Sequence, residues 1–540
     1  MENISLTSYK KIAVFNQTLF YKGDIALEKL IAKKHILLSK DLFNEFIEEN
    51  SIGTPFSIVF VSDEKIIIVS DIIRSYPVFY STVNNQVFIT ENIKTIPEKS
   101  ISDQAVSMFL QAGFSLGPNT IYQNINGIQA AEILTIDRKN KNIDSNRYFA
   151  FKPNHKAKDK SIEEFVEEFD SLMITIIKKL TKSVPKDKNL IIPLSGGCDS
   201  RVIVNYLKKT NAKNVICFSY GRKNNTQANI SQRVAEACGY EWYFVEYTEE
   251  KWAKLHNIGL IDNYIEYSFQ GVSIPHLQDF LAVYELRQKK IIKKGDVFIP
   301  GHTLDMLSGG HFKDIDMAVN DELSSLKRTS SRHSIVPTKF IKPSYIEKLR
   351  SIYNKVKMEP HSFQEYINWQ ERQAKFIVNS CKVYRFFEFD FLLPFWDIKL
   401  VKYFLKLNEG NRLERNLFIS SQRKGILIPE LAAIEFEYEV NTKSAKKSIK
   451  GKVVNKIPPF VRSLASRYFG SKTYKAEALN QIYALQGNTI KSILGSYKMY
   501  PKELQNYIKS IMIRKPYQVN YHNLTSLLAI KKTLDINRQE

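Results

Sequence analysis

Two short stretches carry residue types suited to chemistry on a phosphorylated ligand. The first is Ser195-Gly196-Gly197-Cys198-Asp199-Ser200, set between the apolar run NLIIPL and the helix-patterned RVIVNYLKK. A glycine turn between a strand and a helix presents backbone N–H groups at the positive end of the helix dipole, which makes a cradle for phosphate or pyrophosphate. Gly196 and Gly197 let the anion approach closely, Ser195 and Ser200 offer hydroxyl donors, and Asp199 can hold a magnesium ion. The lysine-bearing loop of kinases and GTPases, G-x-x-x-x-G-K-[ST], lacks that acid. S-G-G alone is also compatible with a plain strand-end turn, but an aspartate there has no packing value. The second stretch, Gly301-His302-Thr303-Leu304-Asp305-Met306-Leu307-Ser308-Gly309-Gly310, follows the apolar run DVFIP.

Such residues need rigid elements to hold them. Residues 11–95 show short apolar runs (KIAVF, FSIVFVS, KIIIVSD, PVFYST, QVFITE) broken by turn residues, which predict strands. Ser102 reads as the N-cap of a helix that Gly113 ends, and a further strand pair follows in AAEILTIDRK and SNRYFAF. From about residue 156 the pattern changes to a long helix in EFVEEFDSLMITIIKKL, then to strands alternating with helices (NVICFSYG, QANISQRVAEAC, EWYFVEY). That alternation predicts βαβ units and a parallel sheet. Residues 340–430 read as mostly helical. Residues 441–475 hold ten Lys or Arg and no Asp or Glu, and the chain after them reads as helical.

The strand-SGG-x-DS-helix pattern resembles the signature of the ATP-pyrophosphatases, and further blocks resemble the asparagine synthetases. In that family a G-E-G-x-D-E-x-x-G-G block stands about a hundred residues after the SGG loop, where this chain has Gly301–Gly310. Asp71-x-x-Arg74-x-x-Pro77-x-x-Tyr80, Glu91-Asn92-Ile93-Lys94 and Gly113 to Pro118 are similar to its glutaminase-domain blocks. Phe391-Leu392-Leu393-Pro394-Phe395-Trp396-Asp397 is similar to its R-V-P-F-L-D block. The resemblance spans roughly residues 11–430. It implies an α/β protein with an Ntn-type αββα sandwich over 1–155, a parallel-sheet ATP-pyrophosphatase domain over 156–440 and a basic, mostly helical extension over 441–540. It also implies ATP and Mg2+ as cofactors, with the metal between Asp199 and Asp305. Leu194, Ser195, Gly196, Gly197, Asp199, Ser200, Ser219, Tyr220 and Gly301 would frame the nucleotide.

The chain departs from that pattern at three places. Glutamine-hydrolysing relatives carry a nucleophilic cysteine at the mature N-terminus; here position two is Glu2 and the first cysteine is Cys198. The N-terminal domain is therefore expected not to hydrolyse glutamine. His302 stands where the asparagine synthetases have a glutamate and the β-lactam synthetases a tyrosine, and a histidine can do general acid–base work near neutral pH. A plain contact to ATP is the alternative. The lysine that relatives place against the α-phosphate has candidates at Lys443, Lys446 and Lys447, with Lys443 preferred. Arg201, after the loop, reads either as an anion contact or as a solvent-facing residue.

Composition sets the outer limits. With 540 residues, 44% hydrophobic and 25% charged, the chain can bury a large core, which excludes disordered and collagen-like classes. Cys198, Cys217, Cys238 and Cys381 form no C-x-x-C pair, so neither a zinc ribbon nor a redox dithiol is expected. No run reaches the roughly 18 apolar residues of a spanning helix, and no secretory signal is read, so a cytoplasmic location is expected. The net charge of +22 favours an anionic partner. The expected activity is AMP-forming amide ligation of a small-molecule or peptide carboxylate with ammonia or an amine. Alternatives are a lasso-peptide or β-lactam type cyclase, a sugar-acid amidotransferase of surface polysaccharide, and an inactive scaffold. A nucleic-acid partner, as in tRNA-modifying enzymes, is not expected.

Overall fold

Alternation of apolar residues turns the first third of the chain into two stacked sheets. Ile58 and Phe60 of the strand Phe56–Val61 and Ile67 and Val69 of the strand Lys65–Ser70 face one way, while Val59, Ile66 and Ile68 face the other. In the computed structural model these strands belong to a six-stranded antiparallel sheet ordered Ile143–Arg147, Glu132–Asp137, Lys65–Ser70, Phe56–Val61, Gln17–Gly23, Lys10–Val14. The second sheet has four strands, Glu2–Ser5, Gln86–Thr90, Phe79–Val83 and Ile125–Gly127. Val59, Ile66, Ile68, Tyr80, Val87, Ile89 and Leu134 fill the layer between them. On the outer face of the six-stranded sheet, Phe43 of the helix Lys40–Glu49 meets Phe56 and Tyr148 edge-on or tilted. Phe79 and Phe88, on the other outer face, join the main core with Phe109 of the helix Asp103–Ala112. The layers are thus the expected helix, sheet, sheet, helix. The structure describes residues 2–14, 17–23, 26–33, 39–49, 55–97, 99–153, 158–336, 341–440, 505 and 521–536.

The caps read in the sequence are formed. Ser102 Oγ accepts from the Ala105 N–H at 3.2 Å, and Gly113 takes the left-handed conformation that ends the helix (φ +79°). The helix Ile162–Ser183 opens on a capping box between Ser161 and Glu164 and buries Phe165, Phe169, Met173, Ile176 and Ile177 on one stripe.

The second body is built on a five-stranded, all-parallel sheet ordered Glu241–Glu246, Val215–Gly221, Leu190–Pro193, Val297–Phe298, Asp390–Phe391. The chain leaves Leu190–Pro193 toward one side of the sheet and later returns to its other side. The carboxyl end of that central strand is therefore the topological switch point, where open α/β sheets leave a crevice. The two bodies dock through backbone pairing: the Ile274 N–H donates to the Gly113 carbonyl, Ser115 to Val272 and Ile121 to Gly271, at 2.8–3.0 Å. Buried Lys375 adds hydrogen bonds to the Ser115 and Gly117 carbonyls and an ion pair to Glu371 at 2.6 Å.

Of the segment 441–540, the described part is residue 505 and the helix Tyr521–Ile536, which buries Leu527, Leu528, Ala529 and Ile530 and pairs Lys532 with Asp262 at 3.0 Å. The basic run 441–475, with Lys443, Lys446 and Lys447, lies outside the described residues. Among the described residues no helix is long and apolar enough to cross a membrane.

Candidate functional site

The loop Ser195–Ser200 leaves the central strand at the switch point and runs straight into the helix Asp199–Lys209. It is braced internally: the Ser195 N–H donates to Ser200 Oγ at 3.1 Å, the two hydroxyls lie 3.2 Å apart, and the Gly197 N–H donates to Ser195 Oγ at 3.3 Å. The second block passes directly over it. A Cβ on Gly301 would stand 2.7 Å from the Ser200 nitrogen, so only glycine allows this approach. Two residues on, Thr303 is held at φ +81°, an uncommon state for a β-branched residue. Its hydroxyl donates to Gln373 Oε1 at 2.8 Å, on the π-helical stretch Asn368–Ile377. Strain of this kind clusters where structure is spent on positioning groups.

The turn brings the two acids together. The Asp305 N–H donates to Asp199 Oδ2 at 2.9 Å, and the other Asp199 oxygen receives Arg415 Nη2 at 2.6 Å. Asp305 Oδ2 lies 3.0 Å from His311 Nε2, and its Oδ1 accepts from the Met306 N–H at 2.8 Å. The Asn368 amide also contacts His311, at Nδ1. Burial raises the Asp199 pKa, with the Arg415 charge opposing and the Asp305 charge adding to it. Burial would raise Asp305 too, but the His311 bond and charge and the Arg415 charge hold it below the usual carboxylate range.

Over the loop opens a cavity of about 370 Å3. Ser195, Gly197, Asp199, Ser200, Tyr220, Gly301 and His302 line it, together with Asp279 and Arg415. Leu194, Gly196, Ser219 and Asp305 do not. Leu194 is buried, its carbonyl taken by Ser219 Oγ at 2.6 Å, and that hydroxyl points on to Ser231. Asp279 fixes the far wall, accepting from Tyr220 at 2.7 Å and Tyr384 at 2.6 Å. His302 Nδ1 faces the Cys381 sulfur at 3.8 Å; burial lowers the imidazole pKa, partly offset by Asp279 and Asp305.

Arg201 departs from both sequence readings. It is fully buried, donates to the carbonyls of Ile434 at 2.7 Å and Glu435 at 2.9 Å, and lies 4.0 Å from the Phe436 ring. It thereby pins the segment Ile434–Val440 beside the loop, where the Glu437 N–H donates to the Gly196 carbonyl at 3.1 Å. Arg415, His311, Asp279 and Glu437 were not anticipated. Asp199, on the cavity wall, and Asp305, whose main chain bonds to it, each keep carboxylate lone pairs beyond the hydrogen bonds they accept, a donor chemistry that fits a magnesium ion sharing the remainder of its shell with phosphates and water. Among the described residues no group of three or more His, Cys, Asp or Glu could hold a metal alone.

A parallel α/β sheet with an acid-bearing phosphate-type loop at its switch point defines a nucleotide-binding class. Residues 177–350 match the asparagine synthase family model. No curated protein matches the chain. Among solved structures, it is similar to an NH3-dependent NAD synthetase from Campylobacter jejuni (15% identity, 29% of this chain and 62% of that one, TM-score 0.18). It is also similar to the U34-tRNA thiolase NcsA from Methanococcus maripaludis (13%, 52% and 83%, TM-score 0.19). A third is the glutamine phosphoribosylpyrophosphate amidotransferase of B. subtilis (8%, 56% and 59%, TM-score 0.16). The chain thus spans 62% of the NAD synthetase's length, and scores this low carry no weight beside the family match.

Proposed function

We propose that the chain is an ATP-dependent, AMP-forming amide ligase of the asparagine synthetase type. The observation that carries this reading is the Asp305 N–H bond to Asp199, which sets two acids beside an SGG loop at a sheet switch point. The loop N–H groups and the Ser195 and Ser200 hydroxyls would bind the pyrophosphate part of ATP. Magnesium, when bound by Asp199 and Asp305, would neutralise that tail and make pyrophosphate a better leaving group. A carboxylate is a poor electrophile; attack of its oxygen on the α-phosphorus forms an acyl-adenylate and expels pyrophosphate. An amine or ammonia then attacks the acyl carbon and AMP leaves. Arg415, already in the cleft, supplies a fixed positive charge for the developing negative charge. His302, whose pKa burial lowers, would take the proton released by the attacking amine.

The nitrogen would come from free ammonia, a separate protein or an amine of the substrate, since no cysteine stands in the first 155 residues. Glutamine incubated with the protein should release no glutamate. The decisive experiment is ATP–pyrophosphate exchange across a panel of carboxylates that includes amino acids, sugar acids and peptides. Exchange with any of them supports the reading. Silence across the panel, together with no ATP binding, would favour a scaffold instead.

A further inference from the structure

A second cavity of about 600 Å3 lies between the two-sheet body and the parallel-sheet body. Its walls combine aromatic side chains such as Tyr76, Tyr267 and Phe269 with an unusual number of cations. Most of these cations have acidic partners. Lys22 lies 3.7 Å from Glu91, Lys94 pairs with Glu266, Lys375 with Glu371, and Arg385 with Asp390 at 2.8 Å. Arg74 and Lys382 differ: among the described residues neither forms an ion pair. Arg74, 4% exposed, donates through Nε to the Ile128 carbonyl at 2.6 Å, and Lys382 Nζ donates to the Ser268 carbonyl at 2.9 Å. Carbonyl oxygens satisfy a donor without cancelling its charge.

The Arg74 charge weakens the setting of Lys382, while Glu371 and Glu132 partly offset the burial of Arg74. Burial first, and then the Arg74 charge, brings Lys382 down to about 7; burial brings Arg74 down to about 10. Placing two like charges in a low-dielectric wall is costly. Arg74 also sits at φ +60°, a left-handed state that glycine adopts freely and arginine does not. A strained backbone that delivers an unpaired cation to an already positive cavity is expected where a bound partner recovers the cost.

We infer that this cavity binds an organic anion, a carboxylate or a phosphate ester, with its charged end between Arg74 and Lys382 and its body against the aromatic wall. The guanidinium fork suits two-oxygen recognition of either group. Lys382 follows Cys381, whose sulfur faces His302, so Ser380–Lys382 is a wall shared with the cleft over the phosphate loop. The site is independent of the nucleotide reading and stands if the exchange assay is silent.

The test is acylation of the full-length protein by N-hydroxysuccinimidyl acetate without nucleotide, read at Lys382 by peptide mass spectrometry, with malonate or inorganic phosphate as the probe anion. Millimolar anion should lower Lys382 labelling several-fold in the wild type and leave exposed Lys139 unchanged. Arg74→Gly suits the left-handed backbone and should fold, but it should lose that protection. Protection by malonate alone assigns a carboxylate ligand, and protection by phosphate alone a phosphate ester. No protection by either anion, or full protection retained in Arg74→Gly, would overturn the site.

Discussion

The main-chain N–H of Asp305 reaches across 106 residues of sequence to donate to Oδ2 of Asp199 at 2.9 Å, while Arg415 takes Oδ1. One carboxylate therefore fixes the entry of the Gly301–Gly310 block and holds a cation in the cleft. Asp199→Asn keeps the shape but replaces an anionic acceptor with an amide that is also a donor. The expected outcome is a fall in ATP–pyrophosphate exchange of about 100-fold or more, the scale for loss of a preorganised charge. Full exchange in the variant would sink the assigned role of this acid.

Gly301 is a sharper test of the crossing of the two blocks. A methyl group there meets the Ser200 nitrogen at 2.7 Å and the Ser200 Cα at 3.0 Å, both backbone atoms that cannot swing away. Gly301→Ala should cost about 1–3 kcal/mol of stability, as overpacking does, and should weaken ATP binding more than it slows turnover of bound ATP. Calorimetric titration of ATP beside a denaturation curve separates these effects. An unchanged affinity would mean that the crossing does not position the loop.

Much of the scaffold was legible because burial imposes a period. PVFYST and QVFITE alternate between two packed layers, and Ser102 and Gly113 mark a helix by capping chemistry that is local in sequence. Glu2–Ser5 was not legible: it joins a sheet by backbone pairing to Gln86–Thr90, with side chains only half-buried, so it shows no alternation. The helix Lys40–Glu49 buries a short stripe at Phe43, Phe46 and Ile47, set in a stretch whose other apolar runs have strand length. In the site, Ser195–Ser200 and Gly301–Asp305 announced themselves because tight turns restrict residue type. Arg415 left no such mark, since it comes from a stretch with no motif, and neither its φ of +69° nor its approach to Asp199 can be read from an arginine. Arg201 reads as an anion contact or a solvent-facing residue because a helix alone does not reveal that Ile434–Val440 folds back over it.

That covering segment yields its own prediction. Arg201→Met keeps much of the side-chain volume but leaves the Ile434 and Glu435 carbonyls without their donor. Unsatisfied buried acceptors cost about 1–3 kcal/mol each, so the variant should lose a few kcal/mol in chemical denaturation. Proteolysis should begin near residues 434–440. A variant as stable as the wild type, with no new cleavage there, would show that Arg201 is not what pins the segment.

His333 makes the fold sensitive to acid. It is 4% exposed, its Nε2 lies 3.3 Å from the Gln364 carbonyl, and Arg372, His311 and Arg332 surround it with positive charge. Burial, followed by the Arg372 charge, lowers its pKa from 6.5 to about 3. Between those values the unfolded chain binds a proton that the folded chain refuses, so the stability this group contributes is whole above 6.5 and is lost as pH falls toward 3. From neutral pH to pH 5 the loss from this group should reach about 2 kcal/mol. Urea denaturation at both pH values, compared between wild type and His333→Gln, isolates it: the variant starts less stable but should lose about 2 kcal/mol less on acidification. Equal losses in the two proteins would mean that His333 takes up its proton in the folded state and that other groups set the acid limit.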